Sequence, residues 1–138
     1  MTTDRTTDIS GAIPFAGVLG VEVDEATKDQ VRGRLAWRQD LCTSVEVMHG
    51  GALMAFADTL GALCASLNLP EGTFTTTIES KTNFFRAVRD GEVHGITKPL
   101  HAGRTTIVVQ TDLRDDAGKL VAQTTQTQAV LRPEPRQS

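Results

Sequence analysis

The sequence predicts an α+β domain in which an antiparallel sheet of about five or six strands curls around one apolar helix. Residues 50–67 are apolar or small at nearly every position, a pattern typical of a helix enclosed by other structure. The C-terminal half is rich in threonine and valine, which favour strands. A length of 138 residues fits one domain. We assign residues 1–138 to it, with polar or proline-containing, disordered tails at 1–9 and 133–138.

Before the apolar helix, the sequence predicts a short helix, a hairpin and a loop. The apolar segment from Ile13 to Gly20 predicts a short helix closed by glycine. Residues 21–24 and 30–37 alternate apolar and polar around a charged turn, which indicates a hairpin. Residues 38–48 lack either periodicity and predict a surface loop that leads into the helix.

After the helix, a turn at 70–72 leads to four predicted strands. They cover residues 73–85, 92–100, 105–114 and 120–131, and short glycine-containing turns connect them. Short connections favour antiparallel neighbours, so we expect these four strands to form a meander.

Composition excludes several classes of function. The net charge is −3 and the basic residues are scattered, so no electrostatic surface for nucleic acid is expected. No run of about 18 apolar residues is free of charge, and the N-terminus lacks a hydrophobic signal core. We therefore expect a cytoplasmic protein without a membrane span. Cys42 and Cys64 have no metal-binding or redox spacing, so neither a metal site nor a disulfide is expected.

Asp58 stands in the middle of the apolar helix. Burying a carboxylate without a partner costs several kcal/mol or raises its pKa. The residue therefore caps a neighbouring element, lies at the frayed edge of the helix, or performs chemistry.

Eight residues earlier, His49-Gly50-Gly51 opens the same helix. The N–H groups at a helix N-terminus are unpaired and carry partial positive charge, so they can stabilise an oxyanion. Glycine lets a substrate carbonyl approach the backbone, although two glycines also suit a tight turn. His49 is a candidate general base, and we favour a supporting role in which it fixes the loop.

These residues together resemble the signature of hotdog-fold thioesterases of the phenylacetic-acid-degradation and 4-hydroxybenzoyl-CoA type. The similarity covers about residues 13–131. It includes Asn83-Phe84-Phe85-Arg86, Asp90-Gly91-Glu92, Gly103-Arg104-Thr105 and Asp116-Ala117-Gly118-Lys119-Leu120-Val121-Ala122. Its central part is Val47-Met48-His49-Gly50-Gly51-Ala52-Leu53-Met54-Ala55-Phe56-Ala57-Asp58-Thr59.

The resemblance implies a hotdog fold and hydrolysis of an acyl-CoA thioester. CoA would be part of the substrate, and no cofactor is expected. It also implies a homodimer with one continuous sheet, often doubled to a homotetramer. Each site would combine the His49-Gly50 loop of one subunit with Asp58 of the other. The Gly50 N–H, with Gly51 beside it, would polarise the carbonyl, while Asp58 either attacks it or activates water.

The resemblance also suggests secondary site residues. Thr77 corresponds to a hydroxyl that faces the acid and positions water, although it is equally readable as an ordinary strand threonine. Thr43 occupies a position where the family usually has an Asn or Gln that helps to hold the substrate or water. Three explanations stay open: Thr43 has a reduced role, the loop is shifted so that Ser44 or Glu46 takes that role, or the activity differs. Arg104 corresponds to a contact with the CoA phosphates. The further candidates for CoA binding are Arg86, His101 and Thr105.

Two other functions remain to be weighed. A non-catalytic acyl-CoA-binding hotdog domain would have little need of a helix carboxylate. The hydratase branch of the fold pairs an Asp with a His a few residues away, and Asp58 has no such histidine. The acyl group stays open between aryl and medium-chain types, with Leu60, Cys64 and the first loop expected to form the pocket floor.

Overall fold

A computed structural model describes residues 9–134. Its helices are α1 (Pro14–Leu19) and α2 (Gly50–Leu67), with a short 3₁₀ turn at Gln39–Leu41. Its strands are β1 (Glu22–Ala26), β2 (Val31–Ala36), β3 (Phe74–Phe84), β4 (Glu92–Ala102), β5 (Thr106–Arg114) and β6 (Leu120–Leu131). Both predicted helices, the hairpin and the four later strands are confirmed.

The six strands form one antiparallel sheet in the order β1-β2-β4-β5-β6-β3. Strands β4, β5 and β6 form the expected meander, but the prediction that β3 continues it was wrong. The two edges of β4 are occupied by β2 and β5, so β3 instead pairs with the free edge of β6. Its other edge has no neighbour within residues 9–134.

Helix α2 packs on the concave face of this sheet and forms the core with it. Phe56 and Leu60 are fully buried, and both approach the backbone of β4 at Gly95. A Cβ atom on Gly95 would stand 2.5 Å from the Leu60 side chain, so glycine allows the helix to lie close to the sheet. This packing fixes the position of every other side chain on α2.

The opposite face of α2 is open in the single chain. Gly51, Met54, Asp58 and Ser66 are exposed along it, so the expectations of a helix fully enclosed and an Asp58 buried by its own chain were wrong. The reason is geometric, because a sheet on one side covers only one face of a helix. By composition α2 is apolar enough to span a membrane, but half of it is buried in the domain, as the core helix of a globular fold would be.

The N-terminal boundary of the ordered domain lies earlier than predicted. Ile9 was placed in the disordered tail, yet it is buried, and its carbonyl accepts hydrogen bonds from the N–H groups of Ala12 and Ile13. Of the predicted tails, Pro133 and Glu134 are exposed and lie outside any helix or strand, and residues 1–8 and 135–138 lie outside the described part of the chain.

Candidate active site

The N-terminus of α2 is closed by His49, which is its N-cap residue. The His49 Nδ1 accepts a hydrogen bond from the Gly51 N–H at 2.7 Å, and the His49 carbonyl accepts from the N–H groups of Ala52 and Leu53. Since Nδ1 is the acceptor, the neutral imidazole carries its proton on Nε2. This geometry matches the supporting role favoured for His49.

Gly50 keeps a free backbone donor in this first turn. Its N–H has no hydrogen-bond partner within residues 9–134, whereas the next three N–H groups all bond to His49. The Phe84 ring flanks Gly50, 3.2 Å from where a Cβ atom would lie. An unpaired N–H at the positive end of a helix is suited to receive a developing oxyanion. The Gly51 N–H, in contrast, is already occupied.

The loop before the helix is held by backbone hydrogen bonds. The Met48 N–H donates to the Val88 carbonyl and the His49 N–H to the Leu41 carbonyl, both at 2.8 Å. Glu46 adopts a left-handed conformation with φ of 60°, and its carbonyl accepts from the Trp37 indole N–H. Thr43 lies exposed on this loop, and its N–H donates to the Val47 carbonyl.

Asp58 projects from the open face of α2 toward β3 and β6. Its Oδ1 accepts a short hydrogen bond from the Gln126 amide and lies 3.5 Å from the Thr77 hydroxyl. Gln128 also donates to Thr77 Oγ1, at 2.8 Å. The structure thus brings Thr77 beside Asp58, as the resemblance implied, in a polar cluster of two strands and one helix.

Gly50 and Asp58 of one chain cannot act on the same carbonyl. Eight residues of α-helix extend about 12 Å along the axis, far beyond hydrogen-bond reach. The site formed by one chain is therefore split between the helix N-terminus and a point two turns further along.

An open cavity of about 350 Å³ adjoins the helix N-terminus. Apolar side chains from α1, the 3₁₀ turn and α2 form most of its wall, with His49 and Gly51 at one side. The lining residues are Phe15, Leu19, Asp40, Leu41, Cys42, His49, Gly51, Ala52 and Ala55. Leu60 and Cys64, expected on a pocket floor, are instead fully buried in the core, because they face the sheet.

Neither cysteine is activated for nucleophilic attack. Burial raises the pKa of Cys64 to about 11. Cys42 lines the cavity, and its pKa is raised by desolvation, then by the negative charges of Glu46 and Asp40. Since the thiolate is the nucleophile, both groups are inert near neutral pH. Both cysteines are free, and residues 9–134 contain no cluster of potential metal ligands.

The residues expected to meet CoA are exposed, and no hydrogen bond or ion pair within residues 9–134 joins them to Asp58. Arg104 and Thr105 lie in the turn between β4 and β5, with His101 at the end of β4. Arg86 follows β3, and its N–H donates to the Val121 carbonyl at 3.2 Å. The Arg104 carbonyl accepts from Arg132, and its guanidinium has no protein partner within residues 9–134.

Gln126 and Gln128 were not recognised from the sequence. Both are buried on the concave face of β6, at alternate positions that they share with Thr124 and Val130. The run Thr125-Gln126-Thr127-Gln128 is polar at every position, unlike a strand with one apolar face. This departure from alternation is the sequence feature that could have indicated buried polar residues on β6.

Comparisons with known proteins agree with this architecture. The family model described as the thioesterase superfamily matches residues 46–122, more than half of the chain. An inferred esterase of Haemophilus influenzae is 31% identical over 113 residues, which are 82% of each protein. The 1,4-dihydroxy-2-naphthoyl-CoA hydrolase of Escherichia coli is 32% identical over 85 residues, 62% of each protein.

Solved structures show the same fold. A thioesterase from Haemophilus influenzae superposes with a TM-score of 0.82 at 27% identity, covering 96% of both chains. A phenylacetic-acid-degradation-related protein of Ralstonia eutropha superposes with a TM-score of 0.79 at 25% identity, covering 85% of this chain and 89% of that one. The chain belongs to the thioesterase superfamily and is a hotdog-fold thioester hydrolase.

Proposed function

We propose that the protein hydrolyses an aryl- or medium-chain acyl-CoA thioester to the free acid and CoA. The observation that carries this proposal is the exposed Asp58 carboxylate, which two side chains approach at a single oxygen. The free Gly50 N–H supplies a hydrogen-bond donor that can polarise the thioester carbonyl. The aryl-CoA activity in the name of the Escherichia coli relative supports testing aromatic acyl groups first.

The working site needs two copies of the chain. Gly50 and Asp58 are too far apart within one helix to act on one carbonyl. The Gly50 N–H of one subunit therefore polarises the thioester carbonyl, and Asp58 of the other subunit attacks that carbonyl or activates the water that does. Strand β3 supports this assembly, since its eleven residues form a sheet edge that no other described strand pairs with. Ile78 on that strand is 64% exposed, an apolar surface suited to association. A dimer joined at β3, doubled to a tetramer, follows from the proposal.

Two chemical routes fit the Asp58 geometry. In one, Asp58 removes a proton from water, the resulting hydroxide adds to the thioester carbonyl carbon, and the CoA thiolate leaves and is protonated. In the other, the Asp58 oxygen adds to that carbon, forms a mixed anhydride as the thiolate leaves, and water then hydrolyses the anhydride. The Gly50 N–H stabilises the developing oxyanion in both, and Thr77 lies where it can orient water.

CoA phosphates would be held by exposed cations at the sheet ends. Arg104 presents a guanidinium that has no partner in the described part of the chain, and planar guanidinium groups bind phosphate well. Arg86, His101 and Thr105 are the further candidates. These contacts belong to binding and not to chemistry, so they provide a separate test of the CoA assignment. We also propose a cytoplasmic location, to be tested by fractionation of the producing cells.

The decisive experiment is thiol release from a panel of aryl- and alkyl-CoA esters by the wild type and Asp58→Asn. We expect turnover by the wild type and a loss of more than about a hundredfold in the variant, as for removal of a principal acid or base. Circular dichroism checks the fold. Unchanged turnover in Asp58→Asn would exclude Asp58 as the acting carboxylate. Binding of CoA esters without turnover by either protein would make the domain a binding module.

Subunit complementation tests the shared site. Asp58→Asn is mixed with Gly50→Pro under conditions that exchange subunits. Half of the dimers are then mixed, and one of their two sites combines an intact Gly50 with an intact Asp58. We therefore expect recovery of about a quarter of wild-type activity. Two inactive variants that stay inactive after verified exchange would contradict a site shared between subunits.

A further inference from the structure

We propose that Gln126 is a positioning residue that holds Asp58 by its Oδ1 atom and leaves Oδ2 to perform the chemistry. This inference rests on the proposed function, because it takes Asp58 as the acting carboxylate. Gln126 lies on β6, 68 residues from Asp58 in sequence, and its amide contacts the carboxylate directly.

The hydrogen bonds around Asp58 run in one direction. Thr75 Oγ1 lies 3.0 Å from both Gln128 Oε1 and the Ala129 carbonyl, and its single hydrogen can be donated to either. When it is donated to Oε1, it orients the Gln128 amide. Gln128 Nε2 then donates to Thr77 Oγ1 at 2.8 Å. Because Thr77 Oγ1 accepts that bond, its own hydrogen is free to point toward Asp58 Oδ1 at 3.5 Å.

Gln126 joins both parts of this network. Its Nε2 donates to Asp58 Oδ1 and lies 3.3 Å from Thr77 Oγ1. The donors to Asp58 within residues 9–134 therefore converge on Oδ1, while Oδ2 has no hydrogen-bond partner there. A carboxylate fixed at one oxygen presents the other with a defined direction, which is the preorganisation that an attacking or proton-accepting oxygen requires.

Packing alone does not explain a glutamine at this position. Gln126 is 1% exposed, and among residues 9–134 its buried Oε1 has no hydrogen-bond partner. A buried acceptor without a partner destabilises the fold, whereas an apolar side chain of similar size would not. The amide is therefore retained at the expense of stability, which is typical of functional positions.

Helix α2 makes room for this amide at Gly61. A Cβ atom there would overlap Gln126 Oε1, so any larger residue would push the glutamine away from Asp58. Gly61 lies three residues after Asp58 on a buried part of the helix. The position of the Gln126 amide therefore depends on glycine at residue 61.

The first test compares Gln126→Met with Gln123→Met. Gln123 is a matched control, because it lies on the same strand and donates to Asp112 at 2.9 Å across the opposite face of the sheet. We expect Gln126→Met to lower kcat about tenfold or more, with little change in KM and a Tm equal to or above that of the wild type, because misplacing a reacting oxygen costs turnover. Gln123→Met should keep wild-type kcat. Equal kcat values for Gln126→Met and the wild type, or an equal loss in both variants, would overturn the proposal.

The second test uses the pH profile of Gln126→Glu. The side chains that contact Asp58 from β3 and β6 are the uncharged Thr77 and Gln126, and no ion pair joins Asp58 to a charged residue within 9–134. Two adjacent carboxyl groups share one proton, so a protonated Glu at 126 can donate to Asp58 as the amide does. As the pH rises, that proton is lost and the two carboxylates repel each other.

We therefore expect kcat of Gln126→Glu to fall on the alkaline side, where the wild type and Gln123→Glu retain theirs. Gly61→Ala, which displaces the amide without changing its chemistry, should lower kcat without this new pH dependence. A Gln126→Glu profile identical to the wild type would overturn the positioning role. Failure of the proposed function would be distinguishable from failure of this inference. It would appear as unchanged turnover in Asp58→Asn, a result that does not depend on the residue at position 126.

Discussion

The two faces of α2 serve different ends, although both are built from small and apolar residues. One face carries Phe56, Leu60 and Cys64 into the core, where all three are fully buried against the sheet. The other carries Gly51, Met54 and Asp58 and is exposed in the single chain. The covered face holds the helix in place, while the open face presents the groups proposed to react.

This difference explains why the helix is apolar nearly all round. A helix with one exposed side normally carries polar residues there. Here the open face is mostly small or apolar, and it adjoins the free β3 edge with its exposed Ile78. The proposed second subunit would cover both features and would also exclude water from the Asp58 cluster, which would strengthen its electrostatic interactions.

The largest expected effect comes from removing one backbone donor on the open face. Gly50→Pro deletes the Gly50 N–H, and proline suits the first position of a helix. His49 already has the extended conformation, φ −63° and ψ 136°, that a residue before proline needs. We expect kcat to fall about a hundredfold or more, as for other oxyanion donors. Thiol release under saturating substrate measures it.

Gly50→Ala is the matched control for this change. It places the same Cβ atom beside the Phe84 ring, at 3.2 Å, but keeps the N–H. A small loss in Gly50→Ala together with a large loss in Gly50→Pro assigns the effect to the donor. Equal losses would assign it to crowding at Phe84 and would contradict the oxyanion role.

On the covered face, Leu60→Ala should change stability and not chemistry. Leu60 is fully buried between α2 and the sheet, so its truncation should lower the free energy of unfolding by about 2–5 kcal/mol. Turnover per folded molecule should stay near the wild-type value. Urea denaturation and active-site-normalised assays check both parts, with Ser66→Ala on the open face as the control. A loss of turnover in Leu60→Ala as large as that in Asp58→Asn would contradict the functional difference between the two faces.

The fold was largely predictable because its signals are local. Alternation located the strands, the apolar run located α2, and glycine-containing turns located the connections. The position of β3 was not predictable in this way, because pairing with β6 depends on which edges β4 leaves free. The exposure of Asp58 was misjudged for a related reason. Composition shows that a helix face avoids water, but it does not show whether the covering surface comes from the same chain.

The site was predictable where residues are close in sequence and not where they are distant. His49, Gly50 and Asp58 share one helix, and their spacing alone suggested chemistry. Gln126 reaches the same carboxylate from a strand 68 residues away, and only sheet register brings it there. The cavity wall likewise depends on α1 packing near α2, so Phe15 and Ala55 could not be assigned from their local sequence.

A smaller effect is expected at the proposed CoA contact, away from both faces of α2. Arg104→Ala should raise KM for CoA esters about fivefold, the scale of an exposed ion pair with phosphate. KM for short non-CoA thioesters should not change, because binding and not chemistry is removed. Arg32→Ala, an exposed cation paired with Glu25 on the β1-β2 hairpin, is the control. Equal losses for both substrate types would argue against a phosphate contact.

The smallest expected effect is at the exposed His94–Asp116 pair, which sharpens the comparison by involving neither face of α2. The Asp116 pKa is lowered, first by the hydrogen bond with His94 at 2.7 Å and then by the Glu92 N–H. A carboxyl whose pKa is depressed in the folded protein stabilises it above the unfolded pKa. That stability is lost as the pH falls below about 4. Asp116→Asn should therefore flatten the acid limb of the Tm profile slightly and leave kcat unchanged. A loss of kcat in Asp116→Asn as large as that in Gln126→Met would show that polar pairs away from α2 also control turnover. The proposed functional difference between the two faces of α2 would then be wrong.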